Sequence, residues 1–498
     1  MKKILVANRG EIAVRVARAC RDMRIPVAAV YSDADRASLH VLEADEAVRI
    51  GPAPALESYL NIDAIIDAAR KVGADAIHPG YGFLAENWEF AKRCEKEGIK
   101  FIGPPSDALH LVGDKIRSRE TMKRENVPII PGMLGASGDD SECERAADEM
   151  GYPVLVKASA GGGGKGMQVC REPSELTNAL ETARRVAKAA FGDDTVYVEK
   201  LIERPRHIEF QVLADEHGNV VHLFERECSI QRRHQKIVEE SPSPVLDPET
   251  RAKMGETAVK AARAVGYANA GTVEFLFDEN RDFYFLEVNA RIQVEHPVTE
   301  FVTGVDLVRE QIRIASGEKL DLRQEDLEQR GHAIECRIYA EDPTNNFLPS
   351  SGTILSLREP AGPGVRHDCG IYEGWQVPVH YDPILSKLIV HAEDREAARL
   401  KMLRALSEFA VLGIATTIDY LRDIVESEPY AAGDTTTDFI EKHMANRPAD
   451  GPDDSVVHAA LIAGALSLSA ETGRRAAGRR RELSPWDTLG SWTIGSGS

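Results

Sequence analysis

The sequence predicts an α/β protein with a doubly wound N-terminal domain, a middle domain bearing a small lid, and a closing α+β domain. Three observations predict it. Short apolar runs alternate with helical patterns over residues 1–112, as in a sheet covered by helices. A glycine-rich loop lies between two short strands within 154–170. A strand pair near 271–288 runs into an alternating polar segment. The 498 residues allow about three domains at roughly 150 each.

The elements follow in order. Within 1–112, strands are expected at 4–7, 27–31 and 76–78, and helices at 12–23 and 62–71. The first strand–helix turn, Asn8-Arg9-Gly10-Glu11, holds one glycine, so the GxGxxG dinucleotide fingerprint is absent. The middle domain spans 113–330, and Pro128 and Pro131 mark entry to a lid over about 131–203. The lid takes strands at 154–157, 167–170 and 196–201 and a helix at 176–190. A hairpin at 209–224 turns at His217-Gly218-Asn219, a helix follows at 251–265, and strands follow at 271–277 and 283–288. The closing domain, 331–445, opens on an alternating strand at 333–338, has turns at 349–352 and 361–364, and carries a helix near 395–408. A tail over 446–498 starts with a Pro/Gly/Asp-rich linker, allows a helix over 456–470, and holds five arginines between Arg474 and Arg481 plus Trp486 and Trp492. Arginine and tryptophan suit a contact with a partner protein.

Composition narrows the class. With 43% hydrophobic and 28% charged residues the chain is globular, which excludes collagen-like, mucin-like and disordered proteins. A formal charge of −19 argues against nonspecific binding to nucleic acid or anionic membrane. No apolar run reaches the roughly 18 residues of a membrane helix, and the N-terminal apolar run is too short for a signal peptide. Seven cysteines without a CxxC spacing predict free thiols in a reducing cytoplasm, not disulfides or structural zinc.

The chemistry concentrates in a few segments. In an extended chain Glu287, Asn289, Arg291, Gln293 and Glu295 share one face, with Val288, Ala290, Ile292 and Val294 on the other. Glu274 lies on the preceding strand, so Glu274, Glu287 and Asn289 are the candidate ligands for a hard cation such as magnesium. Gly161, Gly162, Gly163 and Gly164 follow the strand ending at Lys157 and precede Lys165-Gly166. Consecutive glycines let backbone N–H groups approach phosphates closely. The loop lacks the GK[ST]-helix of a P-loop and is expected to be a hairpin flap over a triphosphate. Lys115, at a domain junction, and Lys157 are candidate phosphate contacts. Gln231-Arg232-Arg233-His234-Gln235-Lys236 is a basic run in an acidic chain.

Together these motifs resemble the biotin carboxylases of the ATP-grasp superfamily. The resemblance is carried by Asn8-Arg9-Gly10-Glu11-Ile12-Ala13, His78-Pro79-Gly80-Tyr81-Gly82-Phe83-Leu84, the glycine loop, Arg232 through Lys236, Glu287 through Thr299, and Arg337 in Glu-Cys-Arg-Ile-Tyr-Ala-Glu-Asp-Pro. It covers about residues 1–445 in family order. Tyr339 departs from the asparagine more often found there.

The resemblance implies an ATP-grasp fold behind a pre-ATP-grasp domain, and ATP-dependent carboxylation of biotin N1′ with bicarbonate through carboxyphosphate. It implies ATP, magnesium or manganese, and biotin on a separate carrier protein. Lys115 and Lys157 would hold phosphates. Glu199, Lys200 and Ile202 match the adenine segment, and His207, Gln231 and His234 the ribose side. Arg291, Gln293 and the backbone of Val294 would hold bicarbonate, and Glu295 would take its proton. Lys236 would steady the anionic intermediates. Phosphate from carboxyphosphate would deprotonate biotin, and Arg337 would stabilise the ureido oxygen.

The chain has no Met-Lys-Met and is short for a carboxyltransferase, so the expected partners are a biotin carboxyl carrier protein and a carboxyltransferase subunit. A homodimer or larger hetero-oligomer is expected. An acyl-CoA carboxylase is the first expectation for the parent enzyme, and a two-subunit pyruvate carboxylase the second. Another ATP-grasp ligase is a rival, disfavoured by His78 through Phe83 and by Arg337. A catalytically silent ATP-binding or scaffolding protein is disfavoured by Lys236, Arg291, Glu295 and Arg337.

Overall fold

The computed structural model describes residues 1–158, 167–445 and six positions between 458 and 466. The chain forms two compact units, Met1–Ala445 and Asn446–Ser498. The glycine loop, the arginine-rich stretch and most of the helix expected over 456–470 lie outside the described residues.

The N-terminal layer is a parallel sheet of β1 (Ile4–Val6), β2 (Val27–Ser32), β3 (Glu46–Gly51), β4 (Ala76–His78) and β5 (Lys100–Phe101), in the order β3-β2-β1-β4-β5. This is the doubly wound layout expected. Helix α1 (Gly10–Asp22) follows β1, and α2 (Ile62–Val72) covers a face through Ile65, Ile66, Ala68 and Ala69. Asn61 caps α2 by accepting from the Ala64 N–H at 3.0 Å, and Gly73 ends it in the left-handed region at φ +67°.

Two fixed contacts set the ends of β1 and β4. Asn8 Nδ2 donates to the carbonyls of Pro79 and Tyr81, each at 2.7 Å. A Cβ at Gly80 would lie 2.8 Å from Asn8 Nδ2, so glycine is required there. Arg9 grips buried Asp35 with two bonds, 2.7 and 2.9 Å, and Tyr59 donates to Asp35 at 2.7 Å. Burial opposes ionisation of Asp35, but Arg9 outweighs it and takes the carboxyl down to about 2. The folded value lies below the unfolded one, so the stabilisation is present above about pH 4 and is lost as pH falls through 2. Asp35→Asn is expected to cost about 2 kcal/mol at neutral pH, a gap that urea unfolding should show roughly halved by pH 3. A gap unchanged between the two pH values would refute the assignment.

Helix α3 (Lys115–Arg124) leads into the lid, where β6 (Val154–Ala158) pairs antiparallel with both β7 (Gln168–Cys170) and β8 (Val196–Lys200). Helix α4 (Leu176–Phe191) packs Leu176, Leu180 and Ala183 onto Val154, Val156, Val196 and Val198. The chain around the glycine loop is therefore a β-hairpin.

The larger sheet has eight antiparallel strands: β9 (Arg206–Ala214), β10 (Val220–Arg232), β11 (Gln235–Ser241), β12 (Asn269–Phe277), β13 (Phe283–Asn289), β14 (His332–Tyr339), β15 (Val365–Cys369) and β16 (Ile384–Ala392). Their order is β13-β12-β9-β10-β11-β14-β16-β15. Residues beyond 330 thus extend the middle domain's sheet rather than form a separate layer, because β14 pairs with β11. One hydrophobic core runs from Leu5 and Phe90 to Phe210, Phe275 and Met254 of helix α5 (Pro248–Ala264). Strand β10 continues past the expected Phe224 to Arg232. Its second half is polar and buried, so hydropathy alone did not mark it.

One expectation needs correction. The 287–295 segment is not one extended ladder: β13 ends at Asn289, and a loop and turn lead through Glu295 to helix α6 (His296–Thr303). Pro297 suits the first turn of α6, where its fixed φ and missing N–H are tolerated. The basic run at 231–236 forms a tight hairpin, with Arg233 and His234 at φ +51° and +66°. That turn sets Gln231 opposite Lys236.

Candidate active site

The sheet face between β13 and β14 gathers a dense set of charges. Lys236 is their hub. Its Nζ donates to Glu209 Oε2 at 2.6 Å, Glu295 Oε1 at 2.8 Å, Glu274 Oε1 at 2.9 Å and Gln293 Oε1 at 3.3 Å. Burial would discharge this amine, but the Glu209, Glu274 and Glu295 carboxylates outweigh it and raise its pKa well above the lysine value. Glu209 also accepts from Arg226, a fully buried guanidinium further tied to Gln211 at 2.7 Å and Thr299 at 3.0 Å.

Glu295 is fully buried between two cations. Lys236 holds one oxygen, and Arg337 Nη2 donates to the other at 2.9 Å. Burial favours protonation of Glu295, yet Lys236, Arg337 and Arg226 prevail and keep it ionised well below the usual carboxylate range. Arg337 Nε also donates to Glu239 Oε1 at 2.6 Å. Burial pushes Glu239 up to about 7, with Arg337 opposing.

The candidate metal residues lie side by side. Glu274 and Glu287 are cross-strand partners, and Asn289 faces Thr272 further along the same strand pair. Burial opposes ionisation of Glu274, but Lys236 and His207 hold its carboxyl well below the ordinary value. Glu287 is exposed on the sheet face yet crowded by protein, and that crowding, then the Glu274 charge, raises its carboxyl. Asn289 is buried and its Nδ2 has no hydrogen-bond partner within the described residues. Two adjacent carboxylates and an amide oxygen suit a hard divalent cation, which would relieve the repulsion between Glu274 and Glu287. His207 and Glu209 add further donors, since His207, Glu209 and Glu274 offer ligand atoms within 4.8 Å of one another.

The remaining sequence candidates fall around this face. His207 Nε2 lies 3.0 Å from Glu274 Oε2, and its Nδ1 contacts Gln231 Nε2 at 2.9 Å. Gln293 Nε2 donates to Glu274 Oε1 at 3.0 Å. Arg291 donates to Glu86 at 2.9 Å and to the Asn289 amide oxygen at 3.0 Å, within reach of the Glu295 and Glu274 charges. Lys157 is ion-paired to buried Glu199, whose second oxygen accepts from Arg119 at 3.0 Å. Lys115 opens α3, and its charge reaches Glu287. Ile202 is half-buried after β8, and His234 is exposed at the β10–β11 turn. Lys200 Nζ donates to the carbonyls of Gly151 at 2.9 Å and Tyr152 at 3.1 Å, bracing the lid. Gly161 to Gly164 lie outside the described residues.

Sequence reasoning missed Glu209, Arg226, Glu239 and Glu86. Glu209 had a signal, since His207, Glu209 and Gln211 alternate with Ile208 and Phe210 along one strand. Arg226 gave none within the mixed run Glu225-Arg226-Glu227, and Glu239 gave none as one of two adjacent glutamates.

A lid hairpin, a charged antiparallel sheet and a paired-carboxylate cleft behind a doubly wound layer are the architecture of an ATP-grasp ligase. Three family models match the chain in succession: "Biotin carboxylase, N-terminal domain" over 1–109, "Carbamoyl-phosphate synthase L chain, ATP binding domain" over 114–323, and "Biotin carboxylase C-terminal domain" over 335–442. Biotin carboxylase 1 of Bacillus subtilis is 53% identical over 444 residues, covering 89% of this chain and 99% of that protein. A pyruvate carboxylase subunit of Methanothermobacter thermautotrophicus is 57% identical over 449 residues, covering 90% and 91%. The biotin carboxylase domain dimer of Hydrogenobacter thermophilus 2-oxoglutarate carboxylase, solved with MgADP, ADP and bicarbonate, is 51% identical with a TM-score of 0.85, covering 89% and 98%. A Campylobacter jejuni biotin carboxylase–β,γ-ATP complex is 48% identical with a TM-score of 0.86, covering 89% and 99%. The chain belongs to the biotin carboxylase family, and its activity is that of an ATP-dependent ligase, biotin carboxylase.

Proposed function

We propose that the chain is the biotin carboxylase subunit of an acyl-CoA carboxylase, acting on acetyl- or propionyl-CoA through a separate carboxyltransferase. The observation that carries the catalytic part is the bracketing of Glu295 by Lys236 at 2.8 Å and Arg337 at 2.9 Å. Two cations beside a buried carboxylate make a pocket that attracts an anion and offers it a base.

In this reading Lys115, Lys157 and the Gly161–Gly164 loop receive the ATP phosphates. The segment Glu199, Lys200 and Ile202 flanks adenine, Lys200 through its backbone and its brace on the lid. His207, Gln231 and His234 line the ribose side. Glu274, Glu287 and Asn289 would hold magnesium or manganese. When bound, the cation supplies charge neutralisation at the phosphate oxygens. Arg291, Gln293 and the Val294 N–H hold bicarbonate, which displaces Glu295 from its cations. Freed in this way, Glu295 takes the bicarbonate proton. The bicarbonate oxygen then attacks the γ-phosphorus, releasing ADP and forming carboxyphosphate, with Lys236 countering the charge. Carboxyphosphate breaks into CO2 and phosphate. The phosphate takes the N1′ proton of biotin, N1′ bonds to CO2, and Arg337 steadies the ureido oxygen.

The Bacillus relative, matched over 99% of its own length, supports a biotin carboxyl carrier protein and carboxyltransferase on other chains. The dimer in the Hydrogenobacter structure supports a homodimer, alone or within a larger assembly. No described helix is long and apolar enough to cross a membrane. Seven free, buried cysteines support a cytoplasmic setting. A second reading, a two-subunit pyruvate carboxylase, is favoured by the 57% identity to the Methanothermobacter protein.

The purified chain is expected to release ADP from magnesium-ATP only with bicarbonate, and faster with biotin. Turnover indifferent to both would sink the proposal. Transfer assays with copurified partners should carboxylate acetyl- or propionyl-CoA, and transfer to pyruvate alone would establish the second reading instead.

A further inference from the structure

Lys387 has no part in the chemistry above, yet it touches the centre of it. It is the lone lysine in the apolar run Ile384–Ala392, and it is fully buried. It lies in one cross-strand row between Arg337 and Asp368. Its Nζ donates to the Val294 carbonyl at 2.6 Å and lies 3.5 Å from Glu11 Oε1 and 3.9 Å from Asp368 Oδ2.

Glu11 is also buried, in the first turn of α1, and accepts a hydrogen bond from the Tyr81 hydroxyl. Gly370, just past β15, packs so closely that a Cβ there would lie 2.7 Å from the Glu11 N–H nitrogen. Through Glu11, the motif Asn8 through Ala13 faces the ammonium that holds Val294, and the motif His78 through Leu84 meets Glu11 through Tyr81.

The anchored carbonyl belongs to the peptide that joins Val294 to Glu295. Its anchor fixes that peptide plane, and with it the entry of the Glu295 side chain between Lys236 and Arg337. A neutral side chain would fill the same space without the cost of a buried charge.

We propose that Lys387, charge-balanced by Glu11, is a positioning residue that sets the Val294–Glu295 peptide for bicarbonate recognition. This rests on the bicarbonate site assigned above. Small misplacements at such a site cost on the order of 10²-fold in rate.

The test is a steady-state comparison of the full chain with Lys387→Met and Glu11→Gln, with thermal unfolding measured alongside. Lys387→Met is expected to raise the KM for bicarbonate by about tenfold or more, the factor that corresponds to about 1.4 kcal/mol, with the KM for ATP within about twofold. Glu11→Gln, which preserves shape and the Tyr81 contact, should raise the same constant by a smaller factor. A folded Lys387→Met with unchanged bicarbonate KM would overturn the inference, as would equal losses toward ATP and bicarbonate. Should Lys387→Met not fold, an unchanged bicarbonate KM in Glu11→Gln is the overturning result. A parent chain with no bicarbonate-dependent turnover would refute the functional reading. Binding of isotope-labelled bicarbonate, followed by NMR in parent and variants, would then decide the positioning role.

Discussion

Glu295→Gln is expected to slow bicarbonate-dependent ADP release by about 10²–10⁴-fold, the usual contribution of a positioned general base, while ATP still binds. The amide keeps the size of the side chain and can accept from Lys236 or Arg337, but it cannot take a proton. Glu295 is held ionised by Lys236, Arg337 and Arg226 across the neutral range, so its own titration does not limit the rate there. The same cations make it a weak base until bicarbonate competes for them. Steady-state ADP release, with nucleotide binding by calorimetry, separates these effects. Near-normal turnover in Glu295→Gln would remove the base assignment, and lost ATP binding would recast the residue as structural.

Lys236→Met is expected to lose both activity and stability. The substitution strips one cation from Glu209, Glu274 and Glu295, which lie 2.6 to 2.9 Å from it. Removing one partner of a buried ion pair costs about 3–5 kcal/mol, because the remaining charge stays buried. Arg226 and Arg337 still serve Glu209 and Glu295, so Glu274 bears most of the loss. Urea unfolding gives the stability change, and ADP release gives the activity. A cost below about 1 kcal/mol would show that Lys236 is not the charge hub of the site.

Much of the fold was legible from apolar periodicity. Strands β1, β2 and β4 and the helices Ile62–Val72 and Arg395–Glu408 fall within a residue or two of expectation, whereas β3 and β5 were not foreseen. Glu274 and Glu287 were legible as members of one strand pair joined by a short turn, but a bulge between Glu274 and Phe275 sets them directly opposite, since the turn alone would pair Glu274 with Leu286. The path from Asn289 to Glu295 was not legible. An alternating pattern reads as a strand, yet those residues meet because the chain leaves the strand and turns into α6. Nor did sequence show that Lys200 braces the lid, since its partners are backbone carbonyls.

By itself the sequence determined the doubly wound layer, the strands of the lid and most of the residues that gather on the charged sheet face, because hydrophobic period and residue chemistry are local properties. The tertiary structure decided which charges neutralise which. It carried β14 onto β11, so that Arg337 meets Glu295 across 42 residues of chain, and it brought Lys387 to Val294 across 93. The physical reason is burial. A charge removed from water must find its counter-charge wherever the packed sheet presents one, and no spacing along the chain records that distance.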